Sequence, residues 1–409
     1  MSRTVHMLTV SSLYPSTVRP RHGIFVENRL AKLVESGEIR ARVIAPVPWF
    51  PFAAKAFGEY GRYAATPHQE RRRGIEVFYP RYPMLPRVST RVQAALVASA
   101  LTRSIARVRA EGFDFDLLDA HYFYPDGVAA ATVAARCRKP LVITARGSDI
   151  NVIAKMTGPR QRILKAARSA SAVISVSAAL KVKMAELGID AECIHVIRNG
   201  VDMSAYAPIE QNRAREMLAL GRGPVIASVG NLVPGKGHDV VIRSVARLDA
   251  VTLLIVGTGQ QRASLEKLAR ELGVGARVRF TGEMAPERMP PVYSAADLLV
   301  LASSNEGWPN VLLEALACGT PVVAADVGGV SEIVTADVAG TVVAERTPEA
   351  MAAAISERLL RIADRNAVRT FASRFSWDEV VRQQTALYQR IAAEPVRVAR
   401  DAHSVAIEN

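Results

Sequence analysis

Short apolar runs rich in valine, isoleucine and leucine recur along the chain and alternate with longer segments of helical periodicity. Each run is continuously hydrophobic, which indicates a strand buried on both faces of a sheet. In the first half the predicted strands are Val5–Val10, Ala41–Ala45, Leu117–Asp119, Leu141–Thr144, Ala172–Ser175 and Ile194–Ile197. In the second half they are Val225–Val229, Leu253–Val256, Val278–Phe280, Leu298–Leu301, Pro321–Ala325 and Thr341–Val343. The pattern predicts an α/β protein whose parallel sheets are covered by helices.

The two successive series of strands indicate two Rossmann-like domains, since 409 residues are too many for one hydrophobic core. The turn-prone stretch Asn199–Asp202 marks the expected boundary, which gives domains of 1–200 and 201–377. A last helical pattern runs to about Ala393. Residues 46–91 depart from the strand and helix pattern, and we expect an irregular insertion that its aromatic stretch Trp49–Tyr63 keeps ordered and functional.

The composition is that of a folded globular protein, with 49% hydrophobic and 22% charged residues. The three cysteines are odd in number and lack the spacing of metal or redox sites, which favours a reducing compartment. The first ten residues resemble a strand more than a signal peptide, and no run of 18 apolar residues occurs. We therefore expect a cytoplasmic protein.

The positive charge is concentrated in the first half of the chain. Residues 1–200 hold 30 basic and 15 acidic side chains, a net charge of +15, whereas residues 201–409 hold 22 and 24. This asymmetry suggests an anionic partner, either a bilayer surface or a lipid-diphosphate substrate, and a solvated basic surface without a partner is the open alternative. Nucleic acid is disfavoured because no basic stripe interleaved with aromatic residues occurs. The stretch from Arg87 to Arg109 has an apolar stripe flanked by arginines, which fits a membrane-surface helix and a core helix equally well.

The most informative segment follows the predicted strand Leu298–Leu301. Its loop carries Glu306 at the carboxyl end of that strand, where open α/β sheets bind ligands. A helix beginning near Pro309 would offer free amide groups and a positive dipole to a diphosphate. Glu314, eight residues after Glu306, would then lie near the same crevice. Two carboxylates without a metal suit the hydroxyls of a sugar and a ribose, although a buried turn with a salt-bridged glutamate is the plainer alternative.

The segment from Ser303 to Val323 resembles the paired-glutamate motif of retaining glycosyltransferase family 4. Further matching segments are Gly230–Gly237, Val256–Gly259, Phe280–Gly282, Asn199–Asp202 and Gly328-Gly329. Within the family the chain is most similar to bacterial polysaccharide transferases of the teichuronic-acid kind. The resemblance implies the GT-B fold, with two Rossmann-like domains facing across a cleft and a C-terminal helix, within residues 378–409, returning to the N-terminal domain. It also implies that the enzyme needs neither a metal nor another cofactor.

Carried onto this sequence, the resemblance implies a donor site for a nucleotide-diphosphate sugar, with UDP as the expected nucleotide. Glu306 would contact the donor sugar, Glu314 the ribose, and Lys236 the diphosphate. The remaining donor-site positions are Gly23, Asp149, Asn199, Gly230, Asn231, Gly257, Gly282, Gly307, Trp308, Pro309, Asn310 and Val311. His121 and Tyr124 are candidates on the side of the acceptor, a glycan or a lipid-diphosphate-linked glycan.

Two positions depart from the family pattern. Asn231 stands where the family often has an arginine, and Arg146 stands where it usually has a histidine. Arg146 cannot act as a general base, because a guanidinium stays protonated. It could return the cation missing at position 231, so we count Arg146 with Glu306 and Lys236 as a catalytic candidate.

Several other assignments compete with a transferase. Gly230–Lys236 fits a phosphate-binding loop of ATPases, but Gly237 stands where that motif needs a serine or threonine. Asp114 and Asp116 resemble the metal-binding pair of other glycosyltransferases, but they precede their strand. A nucleotide-sugar epimerase or hydrolase, a phosphorylase, and a non-catalytic nucleotide-sugar-binding protein remain open alternatives.

Overall fold

The computed structural model describes residues 3–84 and 92–394. The chain forms two compact units. The N-terminal unit comprises the described residues up to Val176, the segment Lys181–Ile197 and the described residues from Val381 onward. The C-terminal unit comprises Ser177–Leu180 and Arg198–Val380.

The N-terminal unit is built on an eight-stranded sheet with the strand order β10-β9-β8-β7-β1-β2-β5-β4. Its strands are β1 Val5–Val10, β2 Ile39–Ile44, β4 Gln69–Arg72, β5 Ile75–Phe78, β7 Leu117–His121, β8 Leu141–Ala145, β9 Ala172–Ser175 and β10 Ile194–Val196. All neighbours pair in parallel except the edge hairpin of β4 and β5. The short strands β3 Val47–Pro48 and β6 Arg81–Tyr82 form a separate pair.

Helices cover this sheet because its strands are apolar on both faces. They are α1 Ile24–Glu35, α2 Gly58–Ala65, α3 Gln93–Ala110, α4 Val128–Cys137, α5 Ser148–Asn151, α6 Thr157–Ser169 and α7 Ala178–Leu187, whose first turn belongs to the C-terminal unit. The last helix, α16 Trp377–Ala393, begins in the C-terminal unit, and from Val381 its residues belong to the N-terminal one. There Tyr388 is fully buried and its hydroxyl donates to Asp119 at 2.9 Å, which ties the helix to strand β7.

The C-terminal unit has a six-stranded parallel sheet in the order β13-β12-β11-β14-β15-β16. Its strands are β11 Val225–Val229, β12 Thr252–Val256, β13 Val278–Gly282, β14 Leu298–Leu301, β15 Val322–Ala325 and β16 Gly340–Val343. The helices are α8 Gln211–Met217, α9 His238–Val245, α10 Arg262–Glu271, α11 Met289–Ala295, α12 Asn310–Ala317, α13 Val330–Ile333, α14 Pro348–Leu359 and α15 Arg365–Ala372. This order is typical of a Rossmann sheet, whose direction of winding reverses between β11 and β14. The prediction of two Rossmann-like domains with parallel sheets is confirmed.

One sequence interpretation needs correction, and one alternative that the sequence left open is decided. Residues 46–84 are not irregular, because they form α2 and four short strands, and β5 extends the main sheet beside β2. The apolar stripe of α3 is core and does not face a membrane, since Val97, Leu101, Ile105 and Val108 are at most 3% exposed. The start of that stretch, with Arg87 and Arg91, lies outside the described residues, as does the tail after Glu394. None of the described helices is long and apolar enough to cross a bilayer.

Candidate functional site

The C-terminal unit brings Lys236 and Glu306 together at the point where its sheet reverses direction. Lys236 lies in the loop after β11 and Glu306 in the loop after β14, and these two strands are neighbours in the sheet. The Lys236 Nζ donates to Glu306 Oε1 at 2.7 Å, with the two side chains 33% and 11% exposed. The crevice outside the carboxyl ends of such neighbouring strands is the usual ligand site of this architecture.

Glycines allow the two loops to approach this closely. Gly237 has a φ of +72°, and a Cβ there would lie 1.8 Å from the carbonyl oxygen of Ala302. Ser304 donates its backbone N–H to the carbonyl of Gly235 at 2.8 Å, which joins the loops directly. Gly328, with a φ of +56°, would place a Cβ 2.0 Å from the Glu306 carbonyl oxygen. The ion pair therefore rests on backbone that tolerates no side chain at these positions.

Three further predicted glycines meet at the same edge of the sheet. Gly230, Gly257 and Gly282 stand at the carboxyl ends of β11, β12 and β13. Gly257 donates its N–H to the Gly282 carbonyl at 2.9 Å, and its Cβ would lie 1.9 Å from the Gly230 carbonyl oxygen. These glycines therefore allow the three strand ends to approach one another. Asn231, which follows Gly230, is exposed.

Helix α12 places the second glutamate. Pro309 precedes its first residue, Asn310, and Glu314 is its fifth residue. The Tyr293 hydroxyl donates to Glu314 Oε2 at 2.6 Å, and burial followed by the neighbouring Glu314 raises the pKa of Tyr293 well above its ordinary value. A protonated tyrosine thus fixes the carboxylate, while Asn310 and Val311 are half-buried at the start of the helix. Tyr293 was not found from the sequence, because nothing in its local pattern separates it from a core residue.

Trp308 and Asn199, two predicted donor contacts, hold the start of this helix. The indole nitrogen of Trp308 donates to the Asn199 carbonyl at 3.0 Å, and the Asn199 amide donates to Asn310 Oδ1 at 3.1 Å. Trp308 is only 6% exposed and follows the buried Gly307. A contact of the Trp308 ring with a donor remains a prediction.

His238 is a site neighbour that the sequence analysis missed. It is the first residue of α9, and its Nδ1 lies 3.0 Å from the Ser228 hydroxyl. Burial lowers the pKa of His238 to about 4, so the ring is neutral at physiological pH. Its position directly after Gly237 could have drawn attention to it.

In the N-terminal unit, Gly23 and Asp149 stabilise loops. Gly23 caps helix α1 with a φ of +73°, and a Cβ there would lie 2.1 Å from the Leu13 carbonyl oxygen. Asp149 is fully buried and accepts backbone N–H groups of Phe123 at 2.9 Å, Gly147 at 2.9 Å and Arg146 at 3.1 Å. The close contacts of both residues are therefore with their own unit, and their predicted contacts with the donor stay predictions.

The structure brings His121 and Arg146 into direct contact. His121 is the last residue of β7 and is 1% exposed, and its Nδ1 accepts a hydrogen bond from Arg146 Nη2. The Arg146 guanidinium also lies over the Phe25 ring, 5.2 Å from its centre. Burial and then the nearby Arg29 lower the pKa of Arg146 to about 9, which leaves it protonated at neutral pH.

Tyr124, the other acceptor-side candidate, is 4% exposed, with its hydroxyl 3.4 Å from Arg162 Nη1.

Asp116, a member of the aspartate pair considered as a metal site, directly precedes β7. Its carboxylate accepts hydrogen bonds from the His6 N–H at 2.9 Å and from Arg3 at 2.6 Å. Among the described residues no group of three His, Cys, Asp or Glu side chains is arranged to hold a metal ion.

Two family models match the chain, one to each half. The model described as Glycosyltransferase Family 4 matches residues 17–205, and the model described as Glycosyl transferases group 1 matches residues 210–373. The glycosyltransferase TuaC of Bacillus subtilis (strain 168), named for teichuronic acid biosynthesis, is 31% identical over 335 residues, which is 80% of this chain and 82% of that protein. A D-inositol 3-phosphate glycosyltransferase of Salinispora tropica is 33% identical over 72% of this chain and 68% of its own length.

Solved structures share the fold. A sucrose-phosphate synthase from Thermosynechococcus elongatus aligns with a TM-score of 0.76 and 20% identity, covering 95% of this chain and 99% of that one. Anabaena HepE, solved in complex with UDP and glucose, aligns with a TM-score of 0.71 and 22% identity over 94% and 100% of the two chains. The chain therefore belongs to glycosyltransferase family 4 and is a glycosyltransferase with the two Rossmann-like units of the GT-B fold.

Proposed function

We propose that this enzyme transfers a hexose-type sugar from a nucleotide diphosphate, UDP in the first place, to a glycan or lipid-diphosphate-linked acceptor in cell-surface polysaccharide assembly. The reaction keeps the anomeric configuration and needs no metal ion. The observation that carries the proposal is the Lys236–Glu306 ion pair at the reversal point of the C-terminal sheet.

The ion pair supports a donor site because each partner suits one part of a nucleotide sugar. The ammonium of Lys236 would neutralise the charge that grows on the leaving diphosphate, a task that a bound metal performs in other enzymes. Glu306 would accept hydrogen bonds from the hydroxyls of the sugar. Since Lys236 already donates to Glu306, binding of the diphosphate would share the ammonium between the two anions.

The nucleotide would extend along helix α12. The free amide groups near Asn310 suit the diphosphate, and Glu314 would accept hydrogen bonds from the ribose hydroxyls. HepE, a fold neighbour, has been solved with UDP and with UDP-glucose, which supports a uracil nucleotide as the first donor to test.

Retention is supported by the nature of the carboxylates. An inverting transfer needs a general base that deprotonates the acceptor, and Glu306 is already paired with the Lys236 ammonium group at 2.7 Å. Arg146, near neutral pH, holds its proton and can only donate. The leaving diphosphate would then accept the acceptor's proton on the same face of the sugar.

The acceptor class is supported by relatedness and charge. The name of TuaC places that relative in teichuronic acid biosynthesis, and the N-terminal half of this chain carries the net charge of +15. A peripheral location on the cytoplasmic face of the membrane would bring such an enzyme to lipid-linked acceptors.

For membrane contact, the aromatic surface of Trp49, Phe52, Phe57 and Tyr60 is better suited than α3, because these side chains are 39–58% exposed. Aromatic side chains are favoured at membrane interfaces. Sedimentation with anionic and neutral vesicles at low and high salt tests this, with Trp49→Ala and Phe52→Ala expected to weaken recovery on anionic vesicles. Equal recovery in the supernatant for both lipids would contradict membrane docking.

The reaction is tested in three steps. A panel of nucleotide sugars is screened for thermal stabilisation of the protein, and the stabilising donors are incubated with lipid-linked acceptors for mass spectrometry. The anomeric proton coupling of the product then reports its configuration, and turnover is repeated in EDTA. Product without added acceptor would point to a hydrolase or epimerase, an inverted linkage would contradict retention, and loss of turnover in EDTA restored by Mn²⁺ would contradict metal independence.

A further inference from the structure

Asp119 is a buried carboxylate at the centre of a hydrogen-bond network in the N-terminal unit. Its side chain is fully buried. Oδ2 accepts from His121 Nε2 at 2.8 Å and from the Thr9 hydroxyl at 3.4 Å, and Oδ1 accepts from the Tyr388 hydroxyl at 2.9 Å. Burial alone would raise the pKa of Asp119, but its contacts with His121 and Tyr388 lower it below the ordinary value. The carboxylate is thus ionised and surrounded by donors.

This carboxylate fixes the proton on His121. Because Nε2 donates to Asp119, Nδ1 carries the lone pair, and that lone pair accepts from Arg146. Burial lowers the pKa of His121 to about 4, so the ring is neutral and does not repel the guanidinium. His121 therefore acts as a fixed acceptor for the Arg146 side chain.

The C-terminal helix supplies the other end of the network. Gln384 and Tyr388 lie one turn apart on α16, and the Gln384 amide donates to the Tyr388 hydroxyl. Gln384 Oε1 accepts from Arg29 Nε at 2.6 Å, and Arg29 Nη1 donates to the Ile197 carbonyl at 3.1 Å. Gln384 and Asp119, the two partners of the Tyr388 hydroxyl, are therefore held in place. This fixes the direction in which the hydroxyl proton points.

The network holds two arginines near each other, matched in number by two carboxylates. Arg29 on α1 and Arg146 after β8 are both cations, and the groups that face Arg146 from the elements around it are Asp119, Asp149 and the neutral Tyr388. Asp149 is already engaged by three backbone N–H groups. Buried charges usually stabilise a protein no more than well-packed apolar side chains would. Stability alone therefore explains this cluster poorly.

We propose that Asp119 and Tyr388 are positioning residues for glycosyl transfer. Tyr388 holds Asp119, Asp119 holds His121 in its Nε2–H form, and His121 directs the Arg146 guanidinium at the carboxyl end of the N-terminal sheet, where it takes an anionic group of a substrate. The proposal rests on the proposed function in making Arg146 a substrate contact. It assigns the C-terminal helix a part in the active site and adds two residues that no motif marks.

Tyr388→Phe tests the proposal because it keeps the ring and removes the hydroxyl. We expect kcat to fall about tenfold, the effect of one hydrogen bond to a charged group. Loss of this donor raises the pKa of Asp119, so the acidic limb of the pH–rate profile should move to higher pH. The control is Gln389→Ala on the same helix, whose amide bonds Glu38 at 2.8 Å, and which should leave both the rate and the profile unchanged. A fall in kcat with an unmoved acidic limb would overturn the positioning role.

Asp119→Asn provides a second test that needs no substrate. The amide N–H of the new side chain can donate to His121 Nε2, which would move the imidazole proton to Nδ1. With ¹⁵N-labelled histidine, two-bond ¹H–¹⁵N spectra should show the Nε2–H form of His121 in the native protein and its loss in Asp119→Asn, with His121→Asn used for assignment. An unchanged tautomer in the variant would overturn the proposal. If the native protein shows the expected form but transfers no sugar to any acceptor, the proposed function fails and the network stands.

Discussion

In the C-terminal unit, the candidate site carries an ion pair between two loops, whose side chains, Lys236 and Glu306, are 33% and 11% exposed. In the N-terminal unit, His121 and Asp119 are at most 2% exposed and belong to a network that reaches a helix more than 250 residues away in sequence. A partly exposed ion pair contributes little to stability, so its arrangement is free to change when a ligand binds. A buried network is rigid, because breaking any of its hydrogen bonds leaves a polar group with neither a protein partner nor water. One unit thus carries charges that can rearrange, and the other holds a charge in a fixed direction.

The largest effect is expected from the adaptable pair. Lys236→Ala and Glu306→Ala should each lower kcat by about 10² or more, because each removes a group that meets charge or hydroxyls in the transition state. Melting temperatures should change little, as expected for a partly exposed pair. Lys267→Ala is the control, since that lysine is exposed and pairs with the exposed Glu271 at 3.6 Å. Near-normal turnover in either site variant would remove that residue from the catalytic machinery.

The comparison also predicts that the loops beneath the adaptable pair are rigid. Gly237→Ala would place a Cβ 1.8 Å from the Ala302 carbonyl oxygen at a φ of +72° and should destabilise the protein by about 3 kcal/mol in denaturant unfolding. Gly273→Ala is a matched control, because its φ is +71° but nothing lies within 4 Å of its Cβ. It should cost about 1 kcal/mol, for the backbone conformation alone. Equal losses would show that the Gly237 loop yields easily.

In the N-terminal unit, Asp126 tests how far burial controls ionisation. Its Oδ2 accepts from the Ser12 N–H at 2.9 Å and hydroxyl at 2.8 Å, and its Oδ1 has no hydrogen-bond partner in the described chain. Burial raises the pKa of Asp126 to about 7. Below about pH 4 the Asp126 carboxyl is protonated in the folded and unfolded chains alike, and its full contribution to the free energy of unfolding is present. Between pH 4 and 7 only the unfolded chain releases the proton, so this contribution is lost as pH rises.

Asp126→Asn should remove that dependence, because an amide stays neutral at every pH. Relative to the native protein, the variant should gain about 2 kcal/mol in unfolding free energy between pH 4 and pH 8, after allowance for relaxation of the buried site. Denaturant unfolding at several pH values measures the difference. Parallel pH curves for the two proteins would show that Asp126 ionises as an ordinary exposed carboxyl does.

The same contrast explains what the sequence could predict. Strands Val5–Val10, Val225–Val229 and Leu298–Leu301 were predicted with their observed bounds, since continuous apolar runs are local signals. Lys236 and Glu306 lie directly after two such strands, and adjacency of those strands brings them together. The insertion was misjudged because the short strands within 46–84 are polar or only two to four residues long.

The buried network could not be predicted in this way. Arg29, Asp119 and Tyr388 come from an early helix, a central strand and the last helix, and each has an ordinary local context. Their contact depends on where α16 packs, which no motif specifies. The apolar stripe of α3 was ambiguous for a related reason, since core and membrane-surface helices share one periodicity.

The smallest effect is expected where the C-terminal unit uses a fixed contact of the N-terminal kind. The Tyr293 hydroxyl, fully buried, donates to Glu314 at 2.6 Å, so Tyr293→Phe should cost about 1 kcal/mol of stability and loosen the carboxylate. Because Glu314 is proposed to bind the ribose alike in the ground and transition states, KM for the nucleotide sugar should rise about threefold while kcat stays within a factor of about two. Ser294→Ala on the same helix is the control, since its hydroxyl accepts from the Ile209 N–H at 3.0 Å. It should lose similar stability without changing KM, and a KM that also stays unchanged in Tyr293→Phe would separate Glu314 from the donor.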